Sequence, residues 1–116
     1  MGTVLPFPSA FPGGQAQQVG FERGELKRIV DLYGRMVAAG LWKDYAIAFE
    51  PGAAAFWAYR RTAEIPEYRI EKRPDLRARQ GMWALIGEAG QVLRRGHELG
   101  PLLAPIERRL LKVVSG

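Results

Sequence analysis

Along residues 22–39 the apolar side chains Leu26, Ile29, Val30, Tyr33 and Val37 fall at i, i+3, i+4, i+7 and i+11. That spacing lays one apolar stripe along an amphipathic helix. Glu22 and Glu25 sit in its first turn, where the helix dipole favours a carboxylate, and Gly40 is a left-handed C-terminal stop. Gly34 costs roughly 1 kcal/mol inside a helix, so a strand packed close against it is expected. The period then falls to two. Tyr45, Ile47 and Phe49 alternate with Asp44, Ala46 and Ala48, Pro51-Gly52 makes a turn, and Ala54 to Arg61 forms a second, aromatic-rich strand. Its apolar residues occupy both parities, which implies cover on both faces. Glu67 to Arg73 is a third strand, with Tyr68 and Ile70 inward and Arg69, Glu71 and Arg73 outward. Pro74 stops the pairing, so 74–80 becomes a loop or a single helical turn. Met82 to Ile86 is a fourth strand, 87–90 a hairpin connection, and Gln91 to Arg95 a candidate fifth. Leu99, Leu102, Leu103, Ile106 and Leu110 restore helical spacing over 98–113. Pro101 suits a first helical turn, and Pro105 is expected to kink the helix or delay its start.

The order predicts an α+β fold: an N-terminal helix, an antiparallel meander of four to five strands, and a C-terminal helix. The connections are too short for parallel crossovers, and both helices belong on one face of the sheet. A single domain is expected over 21–114. Residues 1–20 are expected to form a disordered arm, broken by Pro6, Pro8, Pro12, Gly13 and Gly14. Val4, Leu5, Phe7 and Phe11 are apolar islands within it.

Composition narrows the chemistry. There is no cysteine, which removes disulfides, thiolate catalysis and cysteine-ligated zinc and suits a reducing compartment. No apolar run approaches the ~20 residues of a membrane span. No basic-then-apolar leader opens the chain, so a cytoplasmic location is expected. The net charge is +5, and it is unevenly spread. Residues 1–59 balance five basic against five acidic side chains, whereas 60–79 carry seven to four and 91–116 five to two. Thirteen arginines against four lysines also fit a purely compositional bias.

Catalytic groups are few. The serines are Ser9 and Ser115, both terminal, asparagine is absent, and His97 is the single histidine. No Ser-His-Asp or Cys-His arrangement, phosphate loop, dinucleotide fingerprint or HExxH motif is available, so no catalytic residue, cofactor or metal is expected. His97 beside Glu98 lacks the second histidine a metal site would need. The basic stretch is the better signal. Arg69 and Arg73 share strand parity and project about 13 Å apart at ~3.3 Å per residue. Arg77 and Arg79 follow in the loop, Arg60 and Arg61 end the neighbouring strand, and Arg94 and Arg95 lie towards the far edge. Arginine makes forked contacts to phosphate, and Trp57, Tyr59 and Trp83 offer stacking surface if they point outwards. The alternative is a solvated face on which Glu67, Glu71 and Asp75 pair the arginines and the tryptophans belong to the core.

The runs Leu32-Tyr33-Gly34-Arg35-Met36-Val37-Ala38-Ala39-Gly40, Trp42, and Asp44 to Ile47 resemble an uncharacterised alphaproteobacterial family, domain of unknown function 2794. Tyr68 to Pro74, Arg79-Gln80-Gly81 and Arg95-Gly96-His97 fit the same pattern, over roughly residues 21–111. That resemblance implies a small cytoplasmic bacterial protein and no particular activity. By element order alone, the strands and final helix are also similar to Pur-type and Whirly single-strand-binding units.

Two functions follow as expectations. One is a non-enzymatic module binding single-stranded DNA or RNA, or an acidic protein, through Arg60, Arg69, Arg73, Arg77, Arg79, Trp57 and Tyr59. The other is a protein-interaction homodimer using the aromatic second strand or a bare sheet edge.

Overall fold

A computed structural model describes residues 19–62 and 64–115. The arm expected at 1–20 lies outside the described residues except for Val19 and Gly20. Val19 packs against the core, and the Gly20 carbonyl accepts a hydrogen bond from Lys72 Nζ at 3.0 Å.

Helix α1 is Arg23–Ala38 and helix α2 is Leu99–Ser115. Between them run β1 (Asp44–Glu50), β2 (Ala53–Tyr59), β3 (Tyr68–Lys72), β4 (Trp83–Ile86) and β5 (Val92–Gly96). A single 3-10 turn, Pro74–Leu76, follows β3, where Pro74 ends the pairing. The strands form one antiparallel meander in chain order, so β1 and β5 are its edges and β2 is interior. This is the α+β fold the periodicities predict, with the fifth strand present.

Strand parity places the core. Ala54, Phe56 and Ala58 of β2 lie opposite Lys72, Ile70 and Tyr68 of β3. Ile70 and Lys72 lie opposite Leu85 and Trp83 of β4. These residues share one face, and Ile29, Leu32 and Met36 of α1 and Leu102, Leu103, Ile106 and Leu110 of α2 close over it. Trp83 is therefore core, stacked on Phe21 with ring centroids 6.2 Å apart. The opposite face carries Ala53, Ala55, Trp57 and Tyr59 of β2. No described helix lies on that side, yet Ala53 and Ala55 are buried there, so β2 is buried at both parities, as its composition implies.

The apolar stripe of α1 is rotated from its expected line. Leu32 and Met36 are buried, whereas Val30 and Val37 are exposed. Arg28 and Arg35 face Glu107 of α2, at 3.8 and 3.6 Å. At about 100° per residue, positions 30 and 37 lie about 200° further round, on the flank turned away from α2. No close packing explains Gly34: a Cβ there would meet nothing within 4 Å, and the residue lies on the outer, exposed side of the helix. Gly40 does adopt the left-handed conformation, with φ 78°.

Pro105 does not delay the last helix: α2 starts at Leu99 and continues through the proline. Proline has no N–H for the carbonyl four residues earlier, which belongs to Pro101. Arg94 of β5 takes that place: its Nη1 donates to the Pro101 oxygen at 2.8 Å. Arg94→Ala is expected to cost about 0.5–1.5 kcal/mol. The same change in a Pro105→Ala background should cost less, because residue 105 then supplies the missing donor. A double-mutant cycle from urea unfolding checks this, and strict additivity would refute the substitution of one donor for the other.

Candidate functional site

The open face of the sheet holds the arginine system. Pairing aligns Trp57 with Arg69 and Ala55 with Glu71, so those side chains share that face. The Arg69 guanidinium lies 5.0 Å from the centroid of the Trp57 ring, a cation–π contact. Its Nη2 also donates to Glu71 Oε2 at 2.9 Å and approaches Glu50 Oε1 at 3.7 Å. Arg73 Nε meets the other Glu71 oxygen at 3.1 Å. Glu71 thus sits buried between two guanidinium groups. Burial pushes its carboxyl upwards, but the hydrogen bonds from Arg69 and Arg73 outweigh that and hold it below the ordinary range.

The residues expected to act as one basic surface are divided. Trp57, Tyr59, Arg69 and Arg73 share the open face. Arg60 lies beyond Tyr59, at the end of the sheet where β2 meets Tyr68, and its Nη2 is held by the Glu88 carboxylate at 3.0 and 3.1 Å. Arg73, Arg77 and Arg79 lie at the opposite end, beyond Lys72. Arg77 and Arg79 are exposed and have no ion pair among the described residues. Trp83, on the covered face, offers no stacking surface to the open one.

Sequence reasoning missed Lys72, although strand alternation puts it on the core parity of Tyr68 and Ile70, while Glu67 pairs an arginine as one reading expected. Lys72 Nζ donates to Glu25 Oε1 at 2.7 Å and lies 5.8 Å from the Trp83 ring centroid. Glu25 also accepts the Glu22 N–H at 2.8 Å, so one carboxylate both caps α1 and binds β3. Glu67 accepts from buried Trp42 Nε1 at 2.9 Å and from Arg109 Nη1 at 3.0 Å. Burial acts to lower the Arg109 pKa, but Glu67 and Tyr68 outweigh it and raise it.

A second surface was not legible as such in the sequence. Val30 (41% exposed) and Val37 (41%) stand on the outer flank of α1, and Tyr45 (47%) and Phe49 (38%) on the covered face of edge strand β1. Tyr33 joins the two elements, its ring edge-on to Tyr45 with centroids 5.0 Å apart. Burial, then Asp44 and Tyr45, push the Tyr33 phenol above its ordinary value. Interior strand β2, one of the two expected contact surfaces, has no free edge. β1 has one, and its charges lie only at its ends, at Asp44 and Glu50.

Among the described residues no cluster of three His, Asp or Glu side chains is placed to hold a metal, and no helix is long and apolar enough to cross a membrane. A family model described as "Protein of unknown function (DUF2794)" matches residues 19–103, and the chain belongs to that family. No curated protein and no solved structure matches the chain.

Proposed function

We propose that this family member is a self-associating interaction module whose contact surface is the free edge of β1 with the adjoining flank of α1. The observation that carries this reading is the group Val30, Val37, Tyr45 and Phe49, four large apolar side chains left exposed beside an unpaired strand. Natural edges are usually blunted by lysine, proline or a bulge, and β1 contains none of these between Asp44 and Glu50. Contiguous exposed apolar surface of this kind favours an interface.

A second copy fits the edge. Its own β1 supplies the backbone donors and acceptors that the unpaired side lacks. A two-fold axis perpendicular to the sheet keeps all helices on one side, so residues of equal parity meet. Full overlap of the strand then places Ile47 on the axis and Tyr45 of one copy opposite Phe49 of the other, an aromatic cross-strand pair. Ala46 faces Ala48. Asp44 falls opposite Glu50, whose charge is already met by Arg69 at 3.7 Å.

Light scattering across a concentration series should give twice the chain mass. Val37→Lys and Tyr45→Lys change exposed positions, so both variants should become monomers with an unaltered circular dichroism spectrum. A wild-type chain that stays monomeric throughout the series would remove the proposal.

A further inference from the structure

A second site lies at the other edge of the sheet. The loop after β3 is tightly closed: the N–H groups of Arg79 and Gly81 both reach the Leu76 carbonyl, at 3.0 and 2.9 Å. Its end is pressed against β5. A Cβ at Gly81 would lie 2.4 Å from the Gly96 carbonyl oxygen, and Gly81 has φ 100°, so only glycine lets the two backbones touch there. This contact fixes the segment bearing Arg77 and Arg79 beside the strand that carries Arg95.

Along β3 the basic side chains are paired, whereas among the described residues three arginines at this corner are not. Arg60, Arg61, Arg69, Lys72, Arg73 and Arg109 each face a carboxylate. Among the described residues Arg77, Arg79 and Arg95 have none, and neither Asp75 nor Glu98 pairs with them. Arg95 adds a further observation: its Nη1 is buried and has no hydrogen-bond partner. A guanidinium donor left unmatched away from water is unfavourable, and an oxyanion is the group its fork fits. Pairing puts Arg95 opposite Ala84, which itself lies opposite Glu71, so Arg95 belongs to the open face.

We propose that this corner is a phosphate-binding site, with Arg77, Arg79 and Arg95 donating to the phosphate oxygens and half-exposed Arg73 at its inner margin. The phosphates come either from a single-stranded nucleic acid, laid towards Trp57 across the open face, or from a free polyphosphate. The site is independent of self-association, because β5 and β1 are opposite edges.

The test is titration of the full chain at low salt with an oligothymidylate and, separately, with inorganic tripolyphosphate. Arg77→Ala/Arg79→Ala, whose positions are exposed, and Arg95→Met, which keeps the aliphatic stem, are compared with wild type. Affinity should fall at least about tenfold in each variant, and the log–log salt slope for the oligonucleotide should flatten by roughly 0.7 for each phosphate that is no longer neutralised. An unchanged thermal midpoint for the exposed-site variant separates binding from folding. Binding of both probes with quenching of Trp57 assigns the site to nucleic acid, and binding of tripolyphosphate alone assigns it to a free polyphosphate. No binding of either probe, or binding unaltered in both variants, overturns the proposal.

Discussion

Replacing Lys72 with methionine is expected to cost about 3–5 kcal/mol, because it leaves the partner carboxylate of a buried ion pair uncompensated. The side chains of Lys72 and Glu25 are 7% and 18% exposed, so little water is present to take the place of the missing ammonium. Methionine keeps the aliphatic packing on Trp83 but forgoes the 2.7 Å bond to Glu25 and the 3.0 Å bond to the Gly20 carbonyl. Those two bonds tie the start of α1 and the residue before Phe21 to the centre of the sheet. Urea unfolding followed by tryptophan fluorescence measures the effect. In Lys72→Met/Glu25→Met both charges are gone, and replacing a whole buried pair is often close to neutral. The double variant should therefore be less destabilised than the sum of the two single changes. A single-variant cost within about 0.5 kcal/mol, the range of ordinary surface substitutions, would show that the pair contributes little.

Lys72 also shows what the sequence held and where it stopped. Period-two alternation places Tyr68, Ile70 and residue 72 on one face, and the structure agrees. The pattern alone does not say that a lysine on that face will be met by Glu25, 47 residues earlier in the chain. The same gap separates a stripe from its orientation. Leu26, Ile29, Val30, Tyr33 and Val37 are a correct helical pattern, but two of the five, Val30 and Val37, stay exposed instead of entering the core. Hydrophobic spacing reports that a face is apolar and does not report which neighbour covers it. The arginines were legible as an excess and not as a site. Strand parity put Arg69 and Arg73 on the open face, while the pairing register sends Arg60 to the other end of the sheet and Gly81 brings Arg95 towards the loop of Arg77 and Arg79. Pro105 illustrates the converse. Its local rule was right, since a donor is missing, but Arg94 from a different strand supplies that donor, and the helix runs on.

Glu71→Gln is the variant that links the stability of the open face to its charge. The glutamine preserves shape but offers only one acceptor oxygen, and its NH₂ confronts guanidinium donors. Loss of hydrogen bonds to charged groups makes a destabilisation of about 1.5–3 kcal/mol the expected result at neutral pH, with Arg69 contributing more than the half-exposed Arg73. The pH dependence has a definite sign. The folded-state pKa of Glu71 is lowered from its ordinary 4.5. Such a group adds stability above the unfolded-state pKa and loses it as the pH falls through the lower folded value. Wild type should therefore lose this contribution on acidification below about pH 4.5, whereas Glu71→Gln should show a shallower acid slope over that interval. Parallel acid slopes would mean that the carboxylate is not held by its arginines. The variant also frees two cations on the face that leads to the Arg77–Arg79–Arg95 corner. Tripolyphosphate affinity should rise in Glu71→Gln at neutral pH and low salt, provided thermal melts show the chain still folded. A fall in affinity with the fold intact would place Glu71 among the groups that orient Arg73 for the anion instead of competing with it.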